Sequence, residues 1–179
     1  MEPRITGRKS IIQTPYFTLV GKTVSGHSSD DLFYAIESAD YVTIVAVTKH
    51  QELLMVRQFR PAVEQHCLEL PAGTVDDGES PLQAARRELL EETGYVADEI
   101  QELGCLMTDS GRMSNRMWYF FASNARPDPA AAGKEEGLEL VLVPRQRWNE
   151  TLRPPVFRHA LQMAGLFLAE SAGRLTLPC

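Results

Sequence analysis

The sequence is short of cysteine, of lysine and of long apolar runs, and each shortage removes a class of protein. Its three cysteines, Cys67, Cys105 and Cys179, are too few and too scattered for a disulfide framework or a zinc site. They read as small buried apolar residues plus one at a terminus. The longest strongly apolar run, Val42 to Val47, is too short to span a bilayer. The first residues lack the apolar core of a signal peptide, which points to a cytoplasmic protein with no membrane partner. No internal repeat is present. Lysine is outnumbered, 4 to 14, by arginine. Arginine suits bidentate phosphate binding, although genome composition produces the same bias. The net charge of −6 argues against a general binder of nucleic acid, because counterion release needs a basic surface. It leaves room for a phosphate-bearing small molecule held by a local arginine cluster.

What is present is an ordinary globular chain. Its 179 residues are 44% hydrophobic and 23% charged, enough for one domain, or one with an appendage, and a real core. Residues 4 to 40 read as extended segments broken by turns, with strands at Tyr16 to Val20 and Leu32 to Ile36. Tyr41 to Thr48 is rich in β-branched residues and reads as a central strand. Lys49 to Glu52 is a polar turn, and Leu53 to Phe59 is the partner strand. The clearest helix covers residues 80 to 93. Ser80 is its N-cap, Pro81 its first residue, Gln83 completes a capping box and Gly94 stops it. Leu82, Ala85 and Leu89 fall on its apolar face. Further strands are expected near Ile100 to Met107, Arg116 to Ala122 and Leu138 to Val143. Ser123 to Gly137 reads as a long mobile loop. Pro154-Pro155 opens a second helix, Val156 to Ser171, with Ala160, Met163, Ala164 and Phe167 on one stripe. These elements predict an α+β or α/β sandwich.

The chemistry is concentrated in residues 73 to 95. Glu88, Glu91 and Glu92 stand at i, i+3 and i+4 of the helix, which puts three carboxylates on one face. Left unpaired they would repel one another and raise their own pKa values. Arg86 and Arg87 supply part of the compensation, and a hard divalent cation supplies it better. Oxygen ligands without nearby His or Cys select Mg2+, Mn2+ or Ca2+ over zinc. The turn at Leu70-Pro71-Ala72-Gly73 offers backbone carbonyls as further ligands. The alternative is a solvated acidic helix face.

The full spacing narrows the choice. Gly73, Glu79, Arg87, Glu88, Leu89, Glu91, Glu92, Gly94 and Tyr95 match Gly-x5-Glu-x7-Arg-Glu-U-x-Glu-Glu-x-Gly-U, where U is bulky and apolar. A chance match has a probability on the order of 10⁻⁷ at average residue frequencies. The chain therefore resembles the Nudix hydrolases. Val56-Arg57-Gln58-Phe59-Arg60 and Leu68-Glu69-Leu70-Pro71-Ala72-Gly73 are similar to the ADP-ribose and nucleoside-diphosphate-sugar pyrophosphatases of that family, as is the N-terminal region of about 40 residues.

The resemblance implies an α/β fold, a Nudix-type α-β-α sandwich with a mixed sheet. Residues 1–40 would form an antiparallel strand extension serving dimerisation, and 41–179 the Nudix domain. It implies a homodimer and a nucleotide-sugar substrate cleaved at its pyrophosphate. It implies Mg2+, or Mn2+, held by Glu88 and Glu92, with Glu91 sharing the site and the Ala72 carbonyl as a ligand. Arg87 and Glu79 would orient those carboxylates. Arg60 would contact the pyrophosphate, with Glu69 beside it. Arg57, on the opposite sheet face, would serve structure or the dimer, and substrate contact in the minority case. The general base would be a loop acid, Glu135 or Glu136; the alternative is two solvated loop acids. Ser110, Gly111 and Arg112 match the loop where ADP-ribose pyrophosphatases carry Ser-Pro-Gly. Ser110 replaces the proline, which leaves sugar nucleotides other than ADP-ribose open. Dinucleoside polyphosphates, nucleoside triphosphates and a nucleotide-sensing role are the alternatives.

Overall fold

A computed structural model describes residues 2–28, 31–131 and 137–177. The chain divides into two compact units, Met1–Asp40 with Leu106–Met117, and Tyr41–Cys105 with Trp118–Cys179.

The first unit is built on three antiparallel strands, β1 (Ile5–Gln13), β2 (Thr18–Val24) and β3 (Phe33–Glu37), in the order β1-β2-β3. Ile5 pairs with Val24, and Thr18 with Glu37, so β2 is central. Arg8 and Lys22 converge on Glu37 at 2.8 and 2.9 Å. The segment 109–114 is stitched onto β3. Ile36 donates its N–H to the Arg112 carbonyl, and Ser114 donates to the Ile36 carbonyl. Asn115 donates to the Ala39 carbonyl and is buried. Ile5, Ile12, Tyr16, Phe33 and Tyr34 are exposed.

The second unit is organised by β4 (Tyr41–Thr48), a β-branched run buried on both faces, as a central strand requires. Its neighbours are β5 (Glu52–Arg60), which leads through a 3-10 turn at Pro61–Val63 into β6 (Gln65–Glu69), and β7 (Ala72–Thr74). Helix α1 (Pro81–Thr93) follows, then β8 (Tyr95–Val96), β9 (Glu99–Met107), β10 (Arg116–Pro127) and β11 (Glu139–Pro144). The chain ends with a short α2 (Trp148–Thr151) and α3 (Ala160–Ser171). The eight-stranded sheet runs β11-β5-β4-β10-β8, with β6 on β5, β7 on β4 and β9 on β10.

Side chains alternate across β4, and the alternation sorts the core into two layers. Val42, Ile44 and Ala46 pack with Ala84, Ala85 and Leu89 of α1. Val45 and Val47 pack with Trp148 of α2 and Leu166 and Ala169 of α3. The result is the expected helix–sheet–helix sandwich. Each fully buried Leu or Val contributes about 1.5–3 kcal/mol by leaving water. No helix among the described residues is long and apolar enough to cross a membrane.

Several expectations are corrected. Leu82 is exposed, and Ala84 takes its place on the buried face of α1. Strand β10 does not stop at Ala122 but continues to Pro127, where Arg126 pairs with Val96. The polar pair Ser123-Asn124 hides this continuation, and Asn124 adopts a left-handed φ of 53°. The second helix begins at Ala160, not Val156. Val156 and Phe157 donate to the Arg153 carbonyl in a turn, and His159 is extended and caps α3 through the Gln162 N–H. The apolar stripe of Met163 and Phe167 is not core but the solvent side: the two are 37% and 64% exposed. The buried face is Gln162, Gly165, Leu166 and Ala169. Gly165 sits there because a Cβ would press on the Tyr119 ring at 2.9 Å. Cys67 and Cys105 are only half-buried.

Candidate active site

Helix α1 starts where the sequence says it should. Ser80 accepts from the Gln83 N–H, and Gln83 returns a bond to the Ser80 N–H at 2.8 Å. Gly94 closes the helix in the left-handed region at φ 73°, donating to the Leu90 carbonyl. These two ends fix the register of the carboxylates. Glu88 and Glu92 fall on the same line as Ala84 and are buried, at 8% and 5% exposure, while the Glu91 side chain is half-exposed.

Arg87 binds the cluster together. Its Nε and Nη2 form a fork onto both Glu79 oxygens at 3.1 and 2.9 Å. Nη2 also donates to the Thr74 carbonyl at 2.8 Å, and Nη1 donates to Glu88 at 2.7 Å and Glu91 at 3.1 Å. One guanidinium therefore ties the loop after β7 to the helix. The Glu79 pairing, then Glu88 and Glu91, raises the Arg87 pKa, and Arg87 holds the Glu79 carboxyl below the usual carboxylate range.

The turn leading into α1 is fixed from both sides. Ala72 donates its N–H to Glu92 Oε2 at 2.9 Å. Gly73 lies against Glu88 so closely that a Cβ would fall on its carboxylate. Gln162, buried in α3, accepts from the Leu70 N–H at 2.7 Å and donates to the Leu70 carbonyl at 3.2 Å. Sequence reasoning missed Gln162. The available signal was a lone amide within an apolar helix, which must find partners if buried.

Beside this turn Arg60 forks onto Glu69, Nε to Oε1 at 2.9 Å and Nη2 to Oε2 at 2.5 Å. Glu69 is 2% exposed, whereas the Arg60 side chain is 43% exposed. Glu69, then Glu92 and Cys67, raise the Arg60 pKa against the opposing effect of burial.

The expected site residues therefore divide. Arg60 pairs with Glu69, the Ala72 N–H with Glu92, and Glu88 and Glu91 with Arg87. Arg57 does not join them. Alternation along β5 sends it to the other face, where it meets Glu139 at 3.6 Å, exposed. Ser110, Gly111 and Arg112 belong to the first unit. There Asp109 accepts from the Gly111 N–H and the Arg112 guanidinium, which lowers its pKa. Glu135 and Glu136 lie outside the described residues.

The donor set suits a hard cation: carboxylates and backbone oxygen, with no His or Cys among them. Glu88, Glu91, Glu92 and the Ala72 carbonyl are the groups that would hold one. Among the described residues no three His, Cys, Asp or Glu side chains are drawn together into a ready-made ion cage. Arg87 occupies part of the carboxylate face instead.

The NUDIX domain family matches residues 38–159. The chain is 34% identical over 145 residues to an ADP-sugar pyrophosphatase of Mus musculus, covering 74% of this chain and 66% of that protein. It is 38% identical over 81 residues to an ADP-ribose pyrophosphatase of Bacillus subtilis (strain 168), covering 45% and 44%. It is 30% identical over 116 residues to the ADP compounds hydrolase NudE of Escherichia coli (strain K12), covering 65% and 62%. The matches thus span less than two thirds of each relative. A crystal structure of an ADP compounds hydrolase superposes with a TM-score of 0.78 at 24% identity over 98% of both chains, a likeness of fold. By its box, its sandwich and the extent of the family match, the chain belongs to the Nudix hydrolase family.

Proposed function

We propose that the protein hydrolyses the pyrophosphate bond of a nucleoside diphosphate linked to a sugar, ADP-ribose or an NDP-hexose, giving a nucleoside monophosphate and a sugar phosphate. The observation that carries this reading is the Arg87 network. It holds the box carboxylates at fixed register beside Arg60, an arginine already oriented by a buried Glu69. The names of the relatives support the substrate class.

Each residue has a part. Arg60 keeps N–H donors beyond its fork with Glu69 and directs them at pyrophosphate oxygens, where negative charge grows as the bond breaks. Glu88, Glu91 and Glu92 would hold Mg2+ or Mn2+, with the Ala72 carbonyl. A divalent cation at such a site supplies charge neutralisation of phosphate oxygens and a lowered pKa for water. The Ala72 N–H and Arg87 keep Glu92 and Glu88 in place. Water attacks one phosphorus in line, its proton passes to a carboxylate, and the bond to the bridging oxygen breaks with its electrons on the leaving phosphate. Glu135 or Glu136 is proposed as that proton acceptor. Arg57 takes no part, and the Ser110–Arg112 loop is assigned no step.

We extend the reading to a homodimer in the cytoplasm. The exposed Ile5, Ile12, Phe33 and Tyr34 of the three-stranded sheet support an interface there. The free thiol of Cys67 suits a reducing compartment.

The test is a phosphate-release screen. The protein is incubated with Mg2+ or Mn2+ and ADP-ribose, ADP-, GDP- and UDP-hexoses, a dinucleoside polyphosphate and nucleoside triphosphates, and a phosphatase then reveals phosphomonoester products. Chelator-sensitive turnover of a sugar nucleotide is expected. Turnover confined to triphosphates or dinucleoside polyphosphates would overturn the substrate class.

A further inference from the structure

A cavity of about 290 Å3 adjoins Arg60 and Glu69. It is walled by the turn after β5, by β6 and by the segment preceding α3. Its volume equals that of roughly ten water molecules, the room needed by one sugar ring. Ala62, Val63 and Val156 give it an apolar side. Its polar side is formed by Arg60, Gln65, His66, Glu69, Arg158 and His159.

The hydrogen-bond inventory of that polar side is one-sided. Its two strong acceptors are already engaged: Glu69 by the Arg60 fork, and the Gln65 amide oxygen by Arg158 Nη2 at 2.9 Å. The donors are not used up. Arg158 keeps most of its five N–H groups. His159 accepts the Gln162 N–H at Nδ1, so the neutral ring carries its proton on Nε2. Charge is equally lopsided. Arg60 and Glu69 cancel, and Arg158 forms no ion pair among the described residues. A donor-rich, cationic cavity complements an acceptor-rich anion.

We propose that this cavity receives the non-nucleoside half of the substrate and that Arg158 selects sugars bearing an acid group, a carboxylate or a phosphate. The proposal rests on the function proposed above, because Arg60, the proposed pyrophosphate contact, also lines the cavity. It adds a specificity residue outside the box. Arg158 is a recognition group that takes no part in bond breaking.

The experiment compares wild type with Arg158→Gln on two matched pairs, UDP-glucose with UDP-glucuronate and GDP-mannose with GDP-mannuronate. A charge-assisted hydrogen bond on this half-open site corresponds to about a tenfold preference in kcat/KM. Wild type is expected to favour the acidic member of a pair by that factor, through KM. Arg158→Gln is expected to abolish the preference, so that the acidic and neutral members of a pair give the same kcat/KM. A second arm measures binding without turnover: calorimetry of glucose 1-phosphate against glucose 1,6-bisphosphate, without metal. Wild type should bind the bisphosphate about tenfold more tightly, and the variant should not. Equal kcat/KM within the pairs, or a preference that survives Arg158→Gln, overturns the inference and leaves the proposed reaction standing. If no sugar nucleotide is cleaved the proposed reaction falls, and equal affinity for the two sugar phosphates then overturns the cavity assignment independently.

Discussion

Gly73 and Glu88 occupy one space: the carboxylate of Glu88 lies where a side chain at position 73 would begin. Gly73 is not among the positive-φ glycines, so the constraint is room and not backbone conformation. Gly73→Ala should therefore fold yet displace Glu88. A displacement of about 1 Å at a reacting centre costs on the order of 10²-fold in rate. Steady-state kinetics over a Mg2+ titration should show that loss in kcat with a near-normal melting temperature. Unchanged kcat would mean that the Glu88 position does not matter.

Arg87 and Glu79 make a pH prediction. The Glu79 carboxyl is held below its ordinary value, chiefly by Arg87. Its folded pKa is depressed, so the stability it contributes is present above the unfolded value of about 4.3 and is lost as pH falls through the folded value. Wild type should lose melting temperature along that acid limb, below roughly pH 4.3. Arg87→Lys, which cannot keep the fork, should flatten the limb and start lower at neutral pH. Parallel curves for the two proteins between pH 6 and 2.5 would refute the coupling.

Two arginines of β5 should behave differently. Arg60→Ala leaves Glu69, 2% exposed, without its main partner. Stranding a buried charge costs about 3–5 kcal/mol, less here because Gln58 also reaches Glu69 at 3.4 Å. Arg57→Ala removes only an exposed contact to Glu139 and should cost less than about 1 kcal/mol. Urea unfolding distinguishes them, and similar values for the two would contradict the burial argument.

Gln162 and Leu70 provide the fourth test. Gln162→Leu keeps the volume but strands the Leu70 N–H and C=O, which the Gln162 side chain serves. Each buried unsatisfied group costs about 1–3 kcal/mol, so for the two groups a loss of about 2–6 kcal/mol is expected in urea unfolding. The Pro71-Ala72 turn should loosen too, raising the Mg2+ needed for half-maximal activity. A variant as stable as wild type would show that Leu70 finds other partners.

The contrast between α1 and α3 explains what the sequence revealed. The ends of α1 are set by neighbours in the chain, Ser80 with Gln83 and Gly94 with Leu90, and such local chemistry is written in order. Strand β4 was legible because burial on both faces demands an unbroken apolar run. The buried face of α3 was not, because it contains an amide and a glycine. Gln162 is there for Leu70, 92 residues away, and Gly165 for the Tyr119 ring. Apolar periodicity instead selects Met163 and Phe167, which face water. The short strands β6, β7 and β8 also depend on distant partners, such as Val42 for Gly73, and carry no periodicity of their own. In the site, box spacing located Glu88, Glu91 and Glu92. It did not reveal that the Arg87 guanidinium reaches Glu79, Glu88, Glu91 and the Thr74 carbonyl at once.

The most direct measurement compares wild type with Glu92→Gln on the best sugar nucleotide, with Mg2+ and again with chelator. Gln keeps an oxygen for the Ala72 N–H, so the fold should hold, with a melting temperature close to wild type. Turnover should fall by orders of magnitude in the variant, and wild type with chelator should fall equally far. A folded Glu92→Gln protein with near-normal, chelator-insensitive activity would contradict the account.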